Sequence, residues 1–166
     1  MTAMTQNVFY GDWKKVKSYL QNAQLGSLSK AMKKPLEALG LAISTKIQQH
    51  IKDQDLPWEA LSPETVAKKG HDLIYQETLA YFKGIRYRVY SKKKKQITMD
   101  VYLKGDHKPS GLPLELLGFY LEYGTSKIPE RPIWRPTYLE MFRMKEFDNV
   151  KKQALDMGFR GFDWLV

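Results

Sequence analysis

Leu28, Met32, Leu36, Leu39, Ile43, Ile47 and Ile51 recur at steps of three or four, with Lys33, Lys34, Gln48 and Gln49 between them. That spacing predicts an amphipathic core helix. Pro35 sits early in the pattern and is expected to begin or kink the helix. Upstream, Asp12 is a good N-cap, and Trp13, Val16 and Leu20 follow at helical spacing before Gly26. This predicts a separate short helix over 12–24, preceded by a loose arm over 1–11.

Residues 53–61 read as a loop carrying Pro57 and Trp58. Ser62-Pro63-Glu64 then gives an N-cap, a proline at the first helical position and an acid in the first turn. A short helix to Lys69 follows, closed by Gly70. Leu73, Ile74, Leu79, Tyr81 and Phe82 suggest another helix ending near Gly84.

The period then changes from helical to two. Ile85, Tyr87 and Val89 alternate with Arg86, Arg88 and Tyr90, and Ile97, Met99, Val101 and Leu103 alternate with Thr98, Asp100 and Tyr102. This predicts a β-hairpin with one apolar face. Residues 104–113 form a Gly/Pro-rich loop with His107, and Leu114–Leu121 reads as a helix. Glu122–Pro136 is punctuated by proline, with a short strand expected around Ile133. Thr137–Met157 reads as one final helix. The tail from Gly158 holds Phe159, Phe162, Trp164 and Leu165, and is apolar enough to pack on the core or on another chain. The fold class is therefore α+β: a small antiparallel sheet with a long hairpin against several helices, plus an N-terminal helical extension. Its organisation is an arm and short helix over 1–27, an α+β body over 28–157, and an aromatic tail over 158–166.

Composition narrows the chemistry. Apolar residues make up 43% of the 166-residue chain, enough for a core without staples. There are no cysteines, which removes disulfides, thiolate metal sites and a cysteine nucleophile together. Met1–Asp12 is polar and predicts no secretory leader, and no stretch approaches the ~20 apolar residues of a membrane span. A soluble protein without membrane partners is expected.

Lys and Arg total 27 against 18 Asp and Glu, a net charge of +9, which points to an acidic partner or serves solubility. The cations concentrate at the hairpin: Arg86, Arg88, Lys92, Lys93, Lys94 and Lys95, interleaved with Tyr87 and Tyr90. Such a patch suits non-specific phosphate contacts with stacking. The plainer alternative is a solvated turn whose charge discourages edge-to-edge aggregation.

Catalytic grammar is sparse. His50, His71 and His107 make no standard metal spacing, and the glycines build neither a dinucleotide fingerprint nor a phosphate loop. Glu115 and Glu122 lie seven apart, a spacing more often used for helix-end charge or interfaces than for acid/base work. No catalytic, metal or cofactor residue is assigned, and no enzyme activity is expected. Glu122–Pro136 has a physical reading of its own. Gly124 permits positive φ where a helix ends. Pro129, Pro132 and Pro136 hold an extended path, and Pro136 can open the last helix at its first position. Arg131 and Arg135 suit bidentate carboxylate pairing, with Glu122 a candidate acid. The segment reads as a stiff connector pinned by charge.

Leu121-Glu122-Tyr123-Gly124-Thr125-Ser126-Lys127-Ile128-Pro129-Glu130-Arg131-Pro132-Ile133-Trp134-Arg135-Pro136 also resembles the signature of a tailed-bacteriophage family, the neck or tail-completion (head–tail joining, virion morphogenesis) proteins. That pattern is Glu, then Phe or Tyr, then Gly-Thr-Ser, a spacer with Pro, Arg-Pro, two apolar residues, Arg-Pro and a helix. Trp58-Glu-Ala-Leu61-Ser62-Pro63-Glu-Thr65-Val-Ala-Lys68 is similar to a second segment of the same group. A Thr-Gly step usual before the hairpin is replaced here by Glu77-Thr78-Leu79-Ala80-Tyr81, without the glycine.

The resemblance covers about residues 58–140. It implies a structural virion protein at the head–tail interface, made in the host cytoplasm. There it would form a homo-oligomeric ring, of six copies or else twelve, against portal/connector and tail-tube or tail-terminator proteins. DNA would pass through the lumen without sequence recognition. A tail-terminator ring and a free basic DNA-binding protein are the alternatives. Glu122, Tyr123, Gly124, Thr125, Arg131, Pro132, Trp134, Arg135 and Pro136 are then the expected clamp or interface. Trp13, Phe159, Phe162 and Trp164 are candidates for intersubunit docking.

Overall fold

A computed structural model describes residues 13–93 and 96–159. The chain is α+β. In order it forms α1 (Trp13–Asp53), α2 (Pro63–Lys69), α3 (Ala80–Gly84), β1 (Ile85–Lys93), β2 (Gln96–Leu103), β3 (Asp106–His107), β4 (Leu112–Pro113), α4 (Leu114–Tyr123), α5 (Trp134–Arg143) and α6 (Glu146–Phe159). β1 and β2 pair antiparallel from Ile85↔Leu103 to Lys93↔Gln96, with an irregularity between Ser91 and Lys93. β3 and β4 form a second, two-residue ladder inside the stretch expected to be a plain loop.

The two helices expected over 12–24 and from Leu28 are one. α1 runs for 41 residues through both Gly26 and Pro35. A glycine costs a helix about 1 kcal/mol and an interior proline about 3 kcal/mol. Here α6 packs along α1, and the stripe from Leu39 to Ile51 lies in the core. Tertiary packing outweighs the two local penalties.

Leu39, Ile43, Ile47 and Ile51 are the buried stripe of α1. They pack into one core with Ile85 and Leu103 of the hairpin, Leu114 of α4, Ile133, Met141 of α5 and Val150 of α6. Gly40 lets the hairpin approach closely: a Cβ there would lie 2.8 Å from Cδ2 of Tyr87. The hairpin therefore lies across α1 with its apolar face inward, as its period-two pattern requires.

Two further expectations are corrected. Leu73–Gly84 is helical only from Ala80, because Tyr75 and Leu79 adopt positive φ. Side chains capture the backbone that a helix would have used. Gln54 donates from Nε2 to the Ile74 carbonyl (3.0 Å) and accepts from the Ile74 N–H (2.9 Å), as a paired strand would. The final helix is two. The chain breaks at Met144 and Lys145, with Lys145 at φ 57, and the Lys145 carbonyl then caps Asp148 and Asn149. α2 matches its reading in detail: Ser62 Oγ accepts from the Thr65 N–H, Pro63 is the first helical residue, and Gly70 closes it at φ 75.

Candidate functional site

The segment singled out in the sequence becomes a half-buried clamp between α4 and α5, with Glu122, Arg131 and Ile133 inside it. α4 extends to Tyr123, so Glu122 lies in its last turn, 4% exposed. Gly124 then turns the chain at φ 71, ψ 174, a region essentially reserved for glycine. A Cβ there would sit 3.1 Å from the Glu130 nitrogen. Thr125 Oγ1 accepts the N–H groups of Lys127 (3.2 Å) and Ile128 (3.0 Å), and the Thr125 N–H donates to the Ile128 carbonyl (2.8 Å). The Arg131 N–H closes the loop on the Leu121 carbonyl (2.6 Å).

Glu122 is the centre. Its Oε2 accepts from the N–H groups of Ile133 (2.8 Å) and Trp134 (3.0 Å), and its Oε1 from the N–H (2.9 Å) and Nε (3.3 Å) of Arg135. The carboxylate thus caps the first turn of α5 from another helix, where its charge also meets the positive end of the helix dipole. Four donor groups from three residues converge on its two oxygens. Arg135 Nη2 reaches back to the Glu122 carbonyl (3.1 Å) and to Glu130 (3.4 Å), and its guanidinium stands 5.3 Å over the Tyr123 ring.

Arg131 differs from its expected pairing with a carboxylate. It is 6% exposed, and its Nε and Nη2 donate to the backbone carbonyls of Glu59 (2.9 Å) and Ala60 (3.2 Å). Ile133 is not a strand: it stands at the N-cap of α5, fully buried. Trp134 opens that helix, which places Pro136 third within its first turn rather than first. A proline is tolerated there because that N–H has no partner within the helix.

Aromatic side chains close the other side. Trp58 Nε1 donates to the Pro132 carbonyl (2.7 Å), the Tyr75 hydroxyl to the Arg131 carbonyl, and Trp134 Nε1 to the Tyr81 hydroxyl (2.9 Å). The rings of Trp58, Tyr75 and Tyr81 pack in series, tilted by 59° and 53°, with centroids 5.2 and 4.5 Å apart. Segments 58–68 and 121–136 are therefore bonded to each other directly. Tyr75 and Tyr81 were missed as site residues in the sequence; their partners lie 56 and 53 residues away, with no local signal. A cavity of about 110 Å³ lies beside them, lined by Leu61, Glu77 and His107 among others.

Burial pushes both phenols well above their ordinary value of 10.0; for Tyr81 the bond from Trp134 only partly offsets it. Above that value the unfolded chain ionises these groups and the folded chain does not, so stability falls as pH rises. Of ten tyrosines, these two are expected to stay silent in a phenolate absorbance titration until the chain unfolds. All ten titrating in one reversible folded-state step would contradict this.

The hairpin cations are partly engaged within the chain. Arg88 donates from Nε (3.1 Å) and Nη2 (2.9 Å) to Asp100 and lies over the rings of Tyr90 and Tyr102. Arg86 Nη1 donates to the Ile85 carbonyl (3.1 Å). Lys92 and Lys93 end β1, but their side chains, and Lys94 and Lys95 entirely, lie outside the described residues. Trp13 and Phe159 mark helix ends, with side chains outside the described set; Phe162 and Trp164 lie outside it. The structure brings together the clamp residues, and β2 borders them: Val101, Tyr102 and Leu103 share one open recess with Glu122, Tyr123, Trp134 and Arg135.

Among the described residues, no group of three His, Asp or Glu side chains could hold a metal, and no helix is long and apolar enough to cross a membrane. His50, buried on α1, bonds Asp55 through Nδ1 (2.6 Å), and its Nε2 lies 3.2 Å from Glu140 without a hydrogen bond; Lys46 Nζ pairs with Glu140 at 2.8 Å and ties α1 to α5. Comparison with protein-family models, curated proteins and solved structures returned no match.

Proposed function

We propose that this chain is a structural subunit of a tailed-bacteriophage neck, acting by shape and interface rather than by turnover. The observation that carries the reading is the clamp. The two segments that resemble the neck family meet in space, and their charged and aromatic groups hold one another. Glu122 satisfies α5, Arg131 satisfies the carbonyls before α2, and Trp58 satisfies Pro132. A rigid joint of this kind suits a subunit that must present its surfaces at a fixed angle. Large apolar side chains left exposed on α4 and α5, from Phe119 to Met144, also favour a protein that works in contact with others.

In this reading the subunit forms a ring at the head–tail junction, bordered by portal/connector and tail proteins, with DNA passing through. Alone it is monomeric or weakly associated, and the ring closes when its neighbours are present. The test is particle assembly without this chain. Filled heads and complete tails that fail to join, restored by supplying the protein, are the expected result. Particles that join and infect normally without it would exclude the proposal.

A further inference from the structure

One surface of the chain is apolar at the upper end of what a monomer leaves in water. Phe119 and Tyr123 on α4, Tyr138, Leu139 and Phe142 on α5, and Met144 just after it are each between 54% and 65% exposed. The five on α4 and α5 form one belt. The rings of Phe119 and Tyr123 lie 4.9 Å apart, and Arg135 bridges from Tyr123 to the first turn of α5. Further along, Phe147 touches both Tyr138 (5.2 Å) and Phe142 (6.2 Å). At about 200 Å² per large side chain the five expose roughly 580 Å², the upper end of the roughly 300–600 Å² of the largest patch on a monomer. A standard interface takes about 800 Å² from each partner, so the belt supplies about three quarters of one side.

The same chain carries a complementary recess. Leu41, Ala42 and Thr45 of α1, with Met141 and Glu146 as the opposite wall, line an open trough of about 490 Å³. Leu41 at its edge is 54% exposed. That volume takes several side chains at once. Belt and trough adjoin on α5: at about 100° per residue, Met141 points about 60° away from Tyr138, about 100° from Phe142 and about 160° from Leu139.

We propose that the α4–α5 belt of one copy packs into the α1 trough of the next. The contact is heterologous, so repeating it gives a closed ring or an open helix rather than a two-fold dimer. This rests on the ring reading above and names the surfaces that would build the ring. The packing is helix ridge into helix groove, with Phe142 as the leading side chain and the small Ala42 and Thr45 leaving room for it.

The chain has no cysteine, so introduced thiols report without background. Leu41→Cys and Phe142→Cys are both at exposed sites and are expected to fold normally. At high concentration with a short bis-maleimide, mixing the two single variants is expected to give covalent dimer several-fold above either alone. The double variant is expected to give a ladder of higher species. Phe142→Cys crosslinking to itself as strongly as the mixture would mean a two-fold contact and overturn the proposal. No product above the cysteine-free chain would overturn it too. Particles that need this chain for joining, together with a failed crosslink, would leave the neck reading standing and remove only this interface.

Discussion

Glu122→Ala is expected to lower the free energy of unfolding by about 3–5 kcal/mol, the range for removing one partner of a buried charged network. Two effects oppose each other. Removing a buried carboxylate relieves its desolvation, but it leaves the N–H groups of Ile133, Trp134 and Arg135 without their acceptor. Ile133 is fully buried, so water does not readily replace the lost bond, and stranded buried donors cost about 1–3 kcal/mol each. The guanidinium of Arg135 matters less, because it keeps Glu130 and is half exposed. The loss of donors wins. Denaturant unfolding should show a lower midpoint at unchanged slope. Glu122→Gln keeps the shape but offers one acceptor oxygen where two are used, and it turns an amide donor towards other donors. It should recover less than half of the loss. A cost below about 1 kcal/mol for the alanine variant would mean that the carboxylate does not organise α5.

Ile133→Ala is expected to cost about 2–5 kcal/mol, the range for deleting a fully buried aliphatic side chain. Ile133 plugs the core at the point where the connector enters α5, and its carbonyl accepts from Thr137 Oγ1 at 2.6 Å. Both variants release the same helix start. The double variant should therefore cost less than the sum, by about 0.5–3 kcal/mol of coupling. Strict additivity in a double-mutant cycle would show that burial of Ile133 and capping by Glu122 hold the joint independently.

Local chemistry made the hairpin and α2 legible in advance. Period-two alternation needs only neighbours in sequence to be read, and Ser62, Pro63 and Gly70 each perform a backbone task that their own atoms dictate. Gly124 belongs to the same class, since no other residue suits its conformation. The continuity of α1 was not legible, because Gly26 and Pro35 are local stop signals that packing against a distant helix overrides. Nor was the break at Lys145, a residue with no glycine-like freedom to announce it. Arg131 was read towards a carboxylate, which is the commoner partner for a guanidinium. Its actual acceptors are main-chain carbonyls more than seventy residues earlier, and a carbonyl carries no sequence identity. Pairing Glu122 with Arg135 succeeded because both lie in one short connector. That the carboxylate chiefly serves backbone N–H groups was invisible for the same reason as the partners of Arg131.

α1 gives the molecule a mechanical property. At about 1.5 Å per residue it is roughly 60 Å long, while its stripe from Leu39 to Ile51 lies in the core and Gly40 rests against Tyr87. It is a lever with its fulcrum near Gly40. The Trp13 end lies about 40 Å from that fulcrum, so a tilt of about 5° moves it by about 3.5 Å. A sub-ångström adjustment where α1 meets the hairpin is therefore read out, magnified, at the Trp13 end.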